Sequence, residues 1–432
     1  MEIINNFLWS ICLVLLIVSG IYFSFKLKFL HLNFVHIFKS LKGKSDKSGI
    51  SPFESLMISL GGCIGVGSLA GIALAIFKGG VGTIFWILLS SLIIAPISIV
   101  ENSLASIYRE KTASGYVGGP AYYIKRGLGF KKIALLYAII VSIAYLFGFL
   151  TIQSNTIARS ITAFFDVPSI LLGIIIGILS FIIIKKGLKG IANFSKVFVP
   201  LMAFIYVGVT LFIILKNINL IPSIFSTILK EAFNPSSFKY GILSSIIIGL
   251  ERGIFASEVG TGTSAIASGS SNLKNPIKQG LVGVVGVYFT TFVICLGTAL
   301  IILTSNYSPD NYLVVNGIEI TLNAMIYHLG LFGNLVLYFS LIAFSFSTII
   351  SGYFYVESNL KFIFPKLSDN KLLILKLFTC FLLGIAPIIR PDFIWNISDL
   401  LVALLIIINV NCLLNLKNDV IMEQEVGVYD DK

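Results

Sequence analysis

Long apolar runs dominate the chain, separated by short stretches rich in Lys, Gly and Ser. The pattern predicts about eleven spanning helices, each near the ~20 residues that a bilayer crossing requires. They fall at 7–25, 52–77, 82–108, 133–165, 168–184, 192–216, 239–268, 276–304, 331–361, 371–388 and 392–415. Two of these runs carry more glycine than a plain spanning helix. In the run from Leu56 to Phe77, Gly61, Gly62, Gly65, Gly67 and Gly71 crowd the first half. Each interior glycine costs a helix roughly 0.5–1 kcal/mol relative to alanine. Backbone at membrane depth unwinds only where it is buried in protein or lines a wet cavity. This run therefore reads as a broken helix with free amides and carbonyls. A second such run, Ser245 to Ala267, holds Gly-Leu-Glu-Arg-Gly-Ile-Phe and Gly-Thr-Gly-Thr-Ser. Paired interrupted helices in two halves of a chain point to an inverted-repeat secondary transporter with its site at the midplane.

The expected organisation is an extra N-terminal helix and basic segment over 1–48, a first repeat over 49–217, a second over 218–416, and a tail over 417–432. Composition agrees with a polytopic all-α membrane protein. The chain is 56% hydrophobic, only 12% charged, and has a mean hydropathy of +0.96, whereas soluble domains carry about 25% charged residues. Its formal charge of +11 is concentrated in alternate connecting segments, such as 26–47, 109–132 and 185–196. The positive-inside rule then places the chain in the cytoplasmic membrane with its N-terminus outside and its C-terminus in the cytoplasm. The basic excess serves topology and anionic lipid rather than nucleic acid. The five cysteines all sit in apolar runs and read as small apolar side chains. Gly118 to Ile124 reads as a turn into a short amphipathic helix, and the acidic stretch after Leu416 as a loose tail. Oligomeric state is not legible.

Enzyme chemistry finds no support: the three histidines are far apart, and no phosphate-binding Gly-x-x-x-x-Gly-Lys motif occurs. No cofactor is expected. A channel is the rival class, and would show pore-lining rings of charge or a carbonyl filter. Among candidate site residues, the amides around Gly65 and Gly67 suit a carboxylate at the positive end of a half-helix. Gly249 and Gly253 would offer carbonyls to an ammonium, unless they serve close helix packing. Ser347 and Thr348 are adjacent hydroxyls in an apolar helix. They either help to hold a sodium ion or bond back to carbonyls one turn earlier. Gln153 is a lone amide among aromatic residues, either an interhelical bond or a substrate contact. Arg252 and Glu258 are intramembrane charges, read as structural or gating ion pairs. Glu101 and Glu357, at inner helix ends, read as partners of basic loops.

An ordered set of motifs resembles the alanine or glycine:cation symporters. It comprises Gly65-Val66-Gly67-Ser68-Leu69-Ala70-Gly71, then Gly79 to Trp86, then Glu101, Tyr108-Arg109-Glu110 and the Gly-Gly-Pro-Ala-Tyr-Tyr-Ile loop. Gln153, Val199 to Met202, Arg252 to Gly260, Pro276, Gln279-Gly280 and Glu357 extend it. The resemblance implies a leucine-transporter-like fold of five-plus-five inverted repeats, with sodium as the coupling ion and an amino acid as substrate. A non-amino-acid solute on the same fold is the alternative. It also implies that Ser347 and Thr348 face carbonyls near Gly61 and Ile64, that Ser68 adds weakly to a second ion site, and that Phe255 belongs to the substrate pocket. The family's Thr and Asn of the first motif are Val66 and Ser68 here, its Ser-Asn before Glu258 is Ala256-Ser257, and its tryptophan on the ninth helix is Gly352. These departures imply a roomier, more apolar pocket for a neutral amino acid larger than alanine, unless another ring such as Tyr353 fills the vacancy.

Overall fold

The computed structural model describes residues 2–42, 49–112, 115–162, 165–233, 242–309, 317–389 and 391–430. Lys44, Lys47 and Lys432 of the expected basic segments, and parts of the loops at 234–241 and 310–316, lie outside them. Eight helices among the described residues are long and apolar enough to cross a membrane, and the bent pair Pro52–Cys63 and Gly67–Gly79 makes a ninth. Two more of the expected spans take shorter form: the 16-residue helix Ser169–Ile184, and Ile242–Ser257 followed by Thr263–Ser268.

Each broken helix has a local cause. The first begins at Pro52, with Ser51 as its cap. The Ser51 hydroxyl accepts from the Glu54 amide at 3.1 Å and the Glu54 carboxylate accepts from the Ser51 amide at 2.9 Å. It stops at Cys63 because Ile64 leaves the helical region (φ −82°, ψ 86°), and the chain resumes beyond Gly65 at an angle of 57°. The second helix runs unbroken through Gly249 and Gly253 to Ser257, so its break is further along than the sequence suggests. Unwinding occurs at Glu258 to Gly262, where Glu258 (φ 53°), Gly260 (φ 85°) and Gly262 (φ 82°) are left-handed. Glycine adopts that region freely, but a residue with a Cβ does so at a cost. Thr261 holds the turn closed, donating from Oγ1 to the Glu258 carbonyl at 2.5 Å.

Helix Thr83–Ile107 is the hub, packing against both halves of the second broken helix and against Pro276–Tyr288. Small residues make the approach possible. A Cβ on Gly280 would lie 2.6 Å from the Ile99 carbonyl oxygen, a backbone atom that cannot yield. Gly280→Val is expected to cost about 1–3 kcal/mol by overpacking, read as a lower midpoint of thermal unfolding in detergent.

Two elements add to the expected picture and one expectation changes. The N-terminal helix Glu2–Lys26 packs on Thr83–Ile107 and on the last helix, and Leu16 presses on Gly260, so it buttresses the second break. A two-stranded hairpin, Glu110–Thr112 with Gly115–Val117, precedes the expected amphipathic helix Pro120–Gly127. The stretch after Leu416 continues the last helix to Asp430 and is tied down by Tyr108, whose hydroxyl donates to Asp419 at 2.7 Å.

Candidate functional site

At the first break, helix Leu331–Ile363 brings its hydroxyl pair onto the unwound backbone. Thr348 Oγ1 lies 3.0 Å from the Gly61 carbonyl oxygen, 3.4 Å from that of Gly62 and 3.5 Å from that of Ile64. Ser347 Oγ lies 3.2 Å from the Gly61 oxygen. Both hydroxyls also reach back to the Phe344 carbonyl, at 2.8 and 3.0 Å. A hydroxyl carries one proton, so two protons face four carbonyl oxygens. The four residues expected to hold sodium thus converge into an oxygen-rich cluster short of donors. Hard cations take oxygen ligands of this kind.

Gly65 joins this cluster to a cavity. A Cβ there would sit 3.1 Å from Thr348 Oγ1 on one side and 3.2 Å from Gln153 Nε2 on the other. The cavity, about 20 Å³, is walled by Gly62, Cys63, Gly65, Gly67, Gln153, Ala256, Glu258 and three rings. Phe255 covers Gly67, stacks with Phe149 at 6.1 Å and leans on Trp395 at 6.0 Å. Gln153 is 95% buried and its Oε1 has no partner among the described residues. Ile152 and Trp395 divide this cavity from a second of about 300 Å³, which Val66 lines.

The second break is built around a different residue from those expected. Glu101 is fully buried at its centre, accepting from the Gly260 amide (3.2 Å), Ser264 Oγ (3.1 Å) and Asn409 Nδ2 (3.2 Å). Asn409 also donates to the Gly260 carbonyl at 2.9 Å and accepts from the Tyr123 hydroxyl. Glu101 is therefore an acceptor for unwound backbone, not a partner of basic loops. Glu258 is likewise in no ion pair among the described residues. Its Oε2 accepts from Thr263 (2.8 Å) and Tyr145 (3.1 Å) while the side chain lines the cavity.

Other expectations are also corrected. Arg252 forms no ion pair among the described residues and lies 6.0 Å over the Phe255 ring. Glu357 does pair, with Lys361 on its own helix at 2.5 Å rather than with a loop. Gly249 and Gly253 are packing glycines: their Cβ positions meet Trp86 and the Thr83 carbonyl, and Ser90 and the Ile87 carbonyl. Gly352 does not open the pocket, because Leu150 and Tyr145 occupy the space beside it (2.6 and 2.8 Å from a Cβ). Ser68 is buried, its hydroxyl without a partner among the described residues and its carbonyl accepting from Thr298 at 3.0 Å. Trp395 and Asn409 had no sequence signal beyond their place in an apolar helix.

The sequence pattern of the sodium:alanine symporter family matches residues 1–431. The amino-acid carrier protein AlsT of Bacillus subtilis is 32% identical over 96% of this chain and 88% of its own. The sodium/alanine symporter AgcS of Methanococcus maripaludis is 29% identical over 97% and 95%. Among solved structures, a Na+-coupled sialic acid symporter in a substrate-bound outward-open state superposes with a TM-score of 0.51, at 13% identity, over 95% of this chain and 82% of that one. That likeness is one of fold.

Proposed function

The chain belongs to the sodium:alanine symporter family, and on that premise we propose that it carries a neutral amino acid with sodium by alternating access. The oxygen cluster at Gly61, Gly62, Ile64, Ser347 and Thr348 carries this reading. A sodium ion there supplies the positive charge that the excess of acceptors lacks. The Gly67 amide suits the substrate carboxylate at the start of a half-helix, whereas the Gly65 amide already donates to the Cys63 carbonyl at 3.1 Å. Glu258, on the same cavity, suits its ammonium. The rings of Phe149, Phe255 and Trp395 offer an apolar wall, which supports an uncharged side chain. Coupling follows from Gly65, whose backbone stands between the ion cluster and the cavity. An ion that fixes the unwound segment prepays part of the ordering that the substrate would otherwise require.

The distribution of Lys and Arg supports an outside N-terminus, so the larger cavity faces outward. Uptake of an amino-acid panel into proteoliposomes tests the reading. A neutral amino acid is expected to accumulate, saturably, only under an inward sodium gradient. Uptake that ignores sodium, or a current that does not saturate, contradicts it.

A further inference from the structure

We propose that the larger cavity is a second amino-acid site, a vestibule that captures the zwitterion before it passes Trp395. The inference rests on the reading that the substrate is an amino acid. Size is the first argument. The inner cavity, about 20 Å³, has room for roughly one water, whereas the outer one, about 300 Å³, is of a size that small ligands fill. In this conformation only the outer of the two accommodates an amino acid. The two meet at Ile152 and Trp395, so the outer cavity lies directly before the inner site.

Charge is the second argument. Among the described residues that line the vestibule there is one cation, Arg159, near the end of helix Lys131–Thr162, and one anion, Glu319, from helix Gly317–Leu329. Both side chains are exposed, and neither forms an ion pair with the other or with another described residue. A lining of one sign attracts an ion of the opposite sign. One charge of each sign, held apart on separate helices, complements a ligand that carries both. Arg159 presents the planar fork that matches a carboxylate in bidentate fashion, and Glu319 accepts from an ammonium. The remaining wall, including Val66, is largely apolar and accepts the side chain without a further charge. The other polar amide there, Asn155, is already committed: its Nδ2 donates to the Ala386 and Ile389 carbonyls, both at 3.0 Å.

The test measures proteoliposome uptake against substrate concentration at saturating sodium, using the amino acid that the wild type carries best. The variants are Arg159→Gln, Glu319→Gln, the reversals R159E and E319R, and the exchange R159E/E319R. Each neutralisation is expected to raise the half-saturating concentration about tenfold, the worth of one charged hydrogen bond, without changing the maximal rate. Each reversal is expected to raise it further. The exchange restores it to within about threefold of wild type, since a zwitterion can bind the other way round. A merely structural role for either residue would not produce that rescue. Single variants with wild-type concentration dependence, or an exchange no better than either reversal, overturn the vestibule while leaving sodium symport intact. A wild type without sodium-driven amino-acid uptake overturns both readings.

Discussion

Sodium-driven uptake is expected to collapse in the Ser347→Ala/Thr348→Ala protein. The two hydroxyls are the side-chain members of the cluster that faces the Gly61, Gly62 and Ile64 carbonyls. Removing both leaves a cation only backbone oxygens, and the sodium concentration for half-maximal uptake should rise by about tenfold or more, each tenfold being about 1.4 kcal/mol of ion binding. Stability should change far less. Each hydroxyl bond contributes only about 0.5–1.5 kcal/mol net to folding, and helix Leu331–Ile363 keeps its packing against Pro52–Cys63 and Gly187–Lys216. Ser345→Ala is the internal control, because Ser345 is also a buried hydroxyl on that helix but has no partner among the described residues. Sodium titrations of uptake by the two proteins decide the matter. A double variant with wild-type sodium dependence removes the ion from this cluster.

The second large effect is expected at Glu101. In Glu101→Ala, the Gly260 amide, Ser264 and Asn409 lose their shared acceptor inside a buried turn. Leaving a buried donor unsatisfied costs about 1–3 kcal/mol, so three of them amount to several kcal/mol and strike the segment whose shape the second break depends on. Thermal unfolding in detergent should show a large drop, and uptake should be lost with it. Glu101→Gln keeps one acceptor oxygen and should fall between. A Glu101→Ala protein that unfolds at the wild-type temperature would mean that the turn at Gly260 is held by other bonds.

Sequence and structure part company for identifiable reasons. The apolar runs and the first break were legible because their signals are local: a bilayer demands length, and five glycines in one apolar run weigh against a continuous helix. The hydroxyl pair was legible from Ser347 and Thr348 alone, but its partners at Gly61 and Ile64 came through family resemblance. The second break was misplaced because glycine serves two purposes. Gly249 and Gly253 allow close approach to Thr83–Ile107, while Gly260 and Gly262 allow left-handed backbone. Composition does not separate these uses. Glu101 looked like an interfacial residue because it is near the end of an apolar run. Its burial depends on the second break, the last helix and Tyr123 closing around it, all distant in sequence. Gly352 was read as a missing wall of the pocket. Tyr145 and Leu150, from another helix, take that space, so Gly352 does not set the size of the substrate.

Obligate coupling of sodium to an amino acid through one unwound segment is measured by following radiolabelled sodium and a radiolabelled neutral amino acid together in the same proteoliposomes. Each is expected to accelerate the entry of the other, and the two to enter in a fixed ratio across substrate concentrations. Sodium entry that is indifferent to the amino acid, or amino-acid entry without sodium, would contradict it.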